Sequence, residues 1–250
     1  MIEAMPFLPG LSPVAGKSLT ACQDAGNLTS NGGLIILREA ALRLGVADVV
    51  AAPLPDPRNP LLITHTYSAM VTARMMAICA GYEDADDLDA LRHDPALLIA
   101  CNRAPEGGHD IPSQPTISRI ENVADVTSLY RIGIGYIDLF CRGYKTPPAS
   151  IVLDIDDTKD MVRHSPVPAH HGGAVLRTDA AYWLLHSVRL AVPRKSRWRG
   201  ATFETIRNVF VKIACRVEEL KSRVKLSFPA SLPNADALGL IAARLTTPFT

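Results

Sequence analysis

Apolar residues recur at helical spacing along most of the chain. Over Gly32–Leu44, the residues Leu34, Leu37, Ala41 and Leu44 share one face, and Gly45 supplies a stop. The same spacing predicts helices at Tyr67–Ala80, closed by Gly81, and at Pro95–Cys101, with a short acidic helix in DADDLDALRHD between them. SQPTISRIEN opens another helix, with Ser113 as N-cap and Pro115 in the first turn. Over 126–140 a stripe of Val126, Leu129, Tyr130, Gly133, Ile137 and Phe140 predicts a longer one. TPPAS at 146–150 is a boundary, and IVLDIDDT after it is the one clear strand, a β-branched run ending in carboxylates. Residues 161–179 have no period. Helices are then predicted at Ala181–Ala191, from Thr202 to about Lys225 on Ile206, Val209, Phe210, Ile213, Val217, Leu220 and Val224, and at Asp236–Leu245. Residues 1–31 read as irregular, and AAPLPDPRNP at 51–60 as a linker or rigid turn. The expected class is mainly α.

Composition adds bounds. With 250 residues, 48% hydrophobic and 20% charged, the chain has apolar material for one or two cores. No apolar run approaches the roughly 20 residues that span a bilayer. The first residues lack a secretory pattern, so the expected location is cytoplasmic, with no membrane partner. The cysteines Cys22, Cys79, Cys101, Cys141 and Cys215 form no CxxC pair and read as buried free thiols. The net charge of +1 hides a split. Residues 161–250 hold 14 Lys/Arg against 5 Asp/Glu, and residues 1–160 hold 12 against 20. An anionic partner such as nucleic acid, or pairing between the two halves, would each account for that.

The acidic strand end carries the first candidate chemistry. In a strand, Asp154 and Asp156 share a face and Asp157 points away. Two carboxylates there suit a divalent cation with hard oxygen ligands. Asp154, Asp156 and Thr158 also match the DxDxT motif of haloacid-dehalogenase-like phosphatases, where Asp154 would be nucleophile and Asp156 the acid/base. That fold needs a later acidic pair, and after Asp160 only Asp179 and Asp236 remain among aspartates, far apart.

The neighbours of this strand select another family. LTSNGGLIILREAALRLG, LPDPRNP, GYEDADDLDALRHDPALLIA, SQPTISRIEN and IVLDIDDT resemble successive landmarks of the group-one DDE transposases of bacterial insertion sequences. AAYWLLHSVRLAVPRKSRWRGATFETIRNVFVKIACRVEELKSRVKLSFP resembles that family's tail. The resemblance implies an RNase H-like core whose first Asp is Asp156, with Asp154 beside it, holding Mg²⁺ or Mn²⁺. It implies double-stranded DNA, the terminal inverted repeats of an element, as partner, and intact transposase or a second copy as a protein partner.

The chain also departs from the family. Family members carry a large catalytic domain between the first-Asp strand and the AAYWLLH-like helix, and here about twenty residues separate the two. Three carboxylates hold the two metal ions of the reaction. Glu204, Glu218 and Glu219 follow the place of the family's catalytic Glu and do not replace it. The expectation is a transposase by descent, shortened and inactive in catalysis. The alternatives are a DNA-binding remnant acting as repressor or poisoning partner, and a decayed product. The expected organisation is a helical DNA-binding region at 1–147, a core remnant and junction at 148–179, and a helical basic region at 180–250.

Two segments are candidates for DNA contact. Ser113, Gln114, Thr116 and Arg119 would start a recognition helix, after a turn from the helix at 95–101, where Gln and Arg can read base edges. Arg194, Lys195, Arg197 and Arg199 surround Trp198 in a loop suited to phosphate contact. His164, His170 and His171 lie in the irregular junction and read as ordinary histidines rather than a metal site.

Overall fold

The computed structural model describes residues 26–144 and 179–246. The first stretch holds β1 (Asn27–Thr29), α1 (Leu34–Leu44), α2 (Val46–Ala51), a 3-10 turn at Pro60–Leu62, α3 (Tyr67–Cys79), α4 (Asp87–Leu91), α5 (Pro95–Ala100), α6 (Gln114–Glu121) and α7 (Val126–Arg142). The second holds α8 (Ala180–Ala191), α9 (Phe203–Ile206) running into a π turn at Arg207–Val211, β2 (Cys215–Leu220), β3 (Arg223–Ser227) and α10 (Ala235–Thr246). The architecture is mainly α. Among the described residues no helix is long and apolar enough to cross a membrane. The strand expected at 151–158 lies outside them.

Local signals set most helix ends. Thr66, Asp94, Asp125 and Thr202 each accept a backbone N–H at the start of α3, α5, α7 and α9. Gly45 closes α1 at φ +65°, and Gly81 follows α3 at φ +92°. α1 buries Leu34, Ile36, Leu37 and Ala40 and is packed by α5, α8 and α10. Each such Leu or Ile contributes about 1.5–3 kcal/mol when fully buried. α3 is buried on nearly every side, from Tyr67 to Cys79, between α2, α5 and α8.

The two described stretches close on each other. β1 pairs antiparallel with β2, Asn27 opposite Val217 and Thr29 opposite Cys215, and β2 pairs with β3, Glu218 opposite Lys225. The Gly32 N–H donates to the Ile213 carbonyl at 2.8 Å, and the Gly33 N–H to the Val211 carbonyl at 3.1 Å. Beneath this seam lies a partly buried polar network. Asp94 accepts from the Thr29 hydroxyl at 2.8 Å, and Asn31 accepts from Lys212 at 3.0 Å. The Lys212 ammonium also stands 3.9 Å from the centre of the Tyr82 ring.

Four expectations are corrected. The segment from Thr202 to Lys225 is not one helix. It is a short helix, a π turn and a hairpin, because Cys215 and Val217 alternate inward with exposed Arg216 and β1 offers an edge to pair with. The irregular stretch before residue 32 contains that edge strand. The α7 stripe faces the other way. Ser128, Ile132 and Leu139 point inward, while Val126, Tyr130 and Ile137 are exposed. The cause is α2, which the spacing did not reveal. It meets α7 so closely that a Cβ at Gly135 would lie 2.5 Å from Val49 Cγ1. Finally, Cys79 and Cys215 are buried, but Cys141 is exposed and Cys101 intermediate. Burial pushes the Cys79 thiol up to about 12.

Candidate nucleic-acid interface

α6 is fixed at both ends. At its start, Ser113 has the extended backbone of an N-cap, but its hydroxyl pairs with Thr116 Oγ1 at 3.1 Å rather than capping the helix. The Gln114 N–H goes instead to Asp89 Oδ1 of α4 at 3.0 Å. At its end, Glu121 accepts from Arg74 Nε of α3 at 2.9 Å. Ile117 and Ile120 are buried, and the helix rests on α3 and α4. The stretch 101–113 separates it from α5, longer than the turn of a compact helix-turn-helix.

The four polar residues differ in availability. Ser113 and Thr116 hold each other, and Gln114 Nε2 donates to Ser118 Oγ at 3.1 Å. Arg119 is exposed and has no ion pair within the described residues. It is the side chain most open to a base edge or phosphate.

The loop at 193–200 is built, not loose. Tight turns join Ser196 to Pro193 and Arg199 to Ser196. Trp198 packs edge-on against Phe210, and Arg197 lies 4.2 Å over the Trp198 ring and reaches Asn234 at the start of α10. Arg199 turns inward, donating to the carbonyls of Arg189 at 3.0 Å and Leu190 at 2.7 Å at the α8 C-terminus. A cation there satisfies orphan carbonyls and suits the helix dipole. Burial first, then Arg189 and Arg199, push the His186 imidazole below its usual range, which disfavours its charged form. Arg194 and Lys195 are exposed, with no ion pair within the described residues.

Arg199 is therefore expected to be a stability residue. Arg199→Ala should cost about 2 kcal/mol, the loss of charge-assisted hydrogen bonds to carbonyls. Urea denaturation followed by circular dichroism would measure it. An unchanged midpoint would show that water replaces the guanidinium without cost.

Two further cations were hidden by reading the hairpin as helix. Lys221 stands at the turn between β2 and β3, and Arg223 begins β3; both are exposed. The alternation in RVKLS, with basic residues on one face, was the available signal. α6 sits on α3 and α4, whereas the loop at 193–200 closes on α8 and the start of α10, so the two predicted contact segments belong to different supports.

The predicted metal ligands Asp154 and Asp156 lie outside the described residues, as do His164, His170 and His171. Within the described residues, no three His, Cys, Asp or Glu side chains are grouped to hold a metal ion.

A sequence model described as "Transposase DDE domain group 1" matches residues 11–166 and 175–248. No curated protein and no solved structure gives a significant match. The match takes in both described stretches, the acidic segment at 151–158 and the basic loop. This chain belongs to the group 1 DDE transposase family.

Proposed function

We propose that the chain binds double-stranded DNA at the terminal inverted repeats of its own insertion element, in the cytoplasm, and does not cut it. The observation that carries the binding is the loop at 193–200. Arg197, Trp198 and Arg199 hold it, and Arg194 and Lys195 project from it without an acidic partner among the described residues. Such cations release counterions from DNA and give affinity without sequence choice. Arg119, with Gln114 at the start of the same helix, supplies the base reading, guanine and adenine edges being their natural partners.

The absence of cutting follows from chemistry. The family's reaction uses divalent ions, Mg²⁺ or Mn²⁺, that activate the attacking oxygen and stabilise the phosphodiester in transit. Asp156, with Asp154 behind it, would be the first ligand, and the short interval before α8 leaves no room for the domain that brings the others. A chain that occupies the repeats without cleaving them competes with intact transposase. Repression, or poisoning of a mixed complex with an intact or second copy, is the physiological form this reading takes.

Fluorescence anisotropy with repeat and scrambled duplexes tests it. Arg194→Ala with Lys195→Ala should weaken binding to both duplexes about equally and lower the salt slope by roughly 2. Arg119→Ala should cost about 1–3 kcal/mol on the repeat alone. Equal affinity of the unaltered chain for both duplexes would overturn the repeat assignment. Metal-dependent nicking that disappears in Asp156→Ala would overturn the claim that it does not cut.

A further inference from the structure

The outward face of α7 is apolar over its whole length. Val126 is 82% exposed, Tyr130 71% and Ile137 58%, and Ile134, Cys141 and Tyr144 are also open to solvent. At 100° per residue the five of these that lie within α7, Val126, Tyr130, Ile134, Ile137 and Cys141, fall in one narrow arc opposite the buried Ser128, Ile132 and Leu139. A surface helix that shows a continuous apolar stripe to solvent marks an interaction site. At its centre a Cβ on Gly133 would meet nothing within 4 Å, so another backbone can approach there.

We propose that this face is a self-association surface, on which a second copy of the chain lays its own α7 antiparallel. It names the surface for the self-pairing contained in the functional reading above, yet rests on none of the DNA assignments. Three features choose a second copy. The first is charge. Arg131 and Asp138 lie seven residues apart on one flank of the stripe, both exposed and without an ion pair within the described residues. Turning a second helix antiparallel about Ile134 sets Arg131 of each copy against Asp138 of the other. The same turn sets Tyr130 near Ile137, and Val126 near Cys141. A twofold contact needs this kind of self-complementarity. The second is area. The exposed parts of these side chains offer on the order of 500 Å² per copy, so a pair buries about 1,000 Å², which reaches the lower bound of a specific interface. The third is continuity. The stripe ends at a cavity of about 960 Å³ lined by Leu139, Phe140, Tyr144, Trp183 and His186, and the partner's Val126 end would arrive at its rim.

Sedimentation velocity on the full chain without DNA tests the proposal. The unaltered chain should sediment as a dimer in the micromolar range. Ile137→Glu with Tyr130→Glu should give a monomer, with helical circular dichroism and thermal midpoint unchanged, because neither side chain enters the core. Arg131→Asp alone and Asp138→Arg alone should each weaken the dimer by about tenfold. The double swap should restore it. A monomeric unaltered chain would overturn the proposal, whether another protein or other parts of the chain cover the stripe. So would a dimer that survives the Glu substitutions, or a double swap no tighter than the singles. Failure here leaves repeat binding untouched, and loss of repeat binding leaves the sedimentation result untouched, so the two readings fail separately.

Discussion

Gly33→Ala should remove a large share of the stability of the fold. Gly33 stands where α1 begins, and its N–H reaches the Val211 carbonyl at 3.1 Å. A Cβ there would overlap the Phe210 carbonyl oxygen and sit 2.6 Å from Val211 Cα. Both are backbone atoms, so no rotamer change relieves the clash. The π turn would have to leave α1, which also opens the contact of Gly32 with Ile213. The expected cost is more than about 3 kcal/mol, the upper end for overpacking. That is a large share of the roughly 5–15 kcal/mol that holds a domain together. Two other glycines separate sterics from backbone conformation. Gly45→Ala meets no neighbour within 4 Å but keeps φ +65°, and should cost about 1–2 kcal/mol. Gly239→Ala, exposed in α10 with open space around it, should gain about 0.5–1 kcal/mol. Urea midpoints of the three variants give the order directly. A Gly33→Ala midpoint near that of the unaltered protein would mean that α1 and the π turn are not held in this contact.

The residues that make this seam show what the sequence could and could not reveal. α1, α3, α5, α6, α8 and α10 were legible because each joins a periodic apolar set to a local stop or cap, as with Gly45, Asp94 and Pro95. The hairpin was not, because Ile206, Phe210, Ile213 and Val217 satisfy a helical period while the deciding partner, β1, lies nearly 190 residues earlier. α7 was found, but the spacing did not show that much of its apolar stripe turns outward. Periodicity locates an apolar face and cannot say whether that face is covered. For the candidate interface, the sequence picked out every cation of the loop at 193–200. It could not tell that Arg199 turns back on α8 while Arg194 and Lys195 stay exposed, since the three differ only in which carbonyls lie within reach. The acidic run in GYEDADDLDALRHD, which by composition alone would pass for a solvated surface, is structural. Asp89 holds α6, Asp94 caps α5, and the carbonyls of Tyr82, Glu83 and Asp84 surround Arg74.

Arg74 is the second residue on which the fold turns, and it links stability to the proposed DNA reading. It is 3% exposed, an unusual place for a guanidinium. Its Nε donates to Glu121 at 2.9 Å, and its two terminal nitrogens donate to the carbonyls of Tyr82 at 3.2 Å, Asp84 at 3.3 Å and Glu83 at 2.5 Å. One side chain thus ties α3, the start of the acidic segment and the end of α6. Arg74→Ala would leave a carboxylate and three carbonyls without their donor in a largely buried place, at about 3–5 kcal/mol. Arg74→Lys keeps the charge but not the planar fork, and should recover less than half of that loss. Glu121→Gln keeps an acceptor and should be the mildest of the three. If α6 carries base recognition, Arg74→Lys should also erase the preference for repeat over scrambled DNA. The affinity due to phosphate contacts from the loop at 193–200 should stay nearly constant, because that loop is held by α8 and α10. Anisotropy titrations below the variant's melting temperature separate the two. A variant that loses stability yet keeps full discrimination would place base recognition somewhere other than α6.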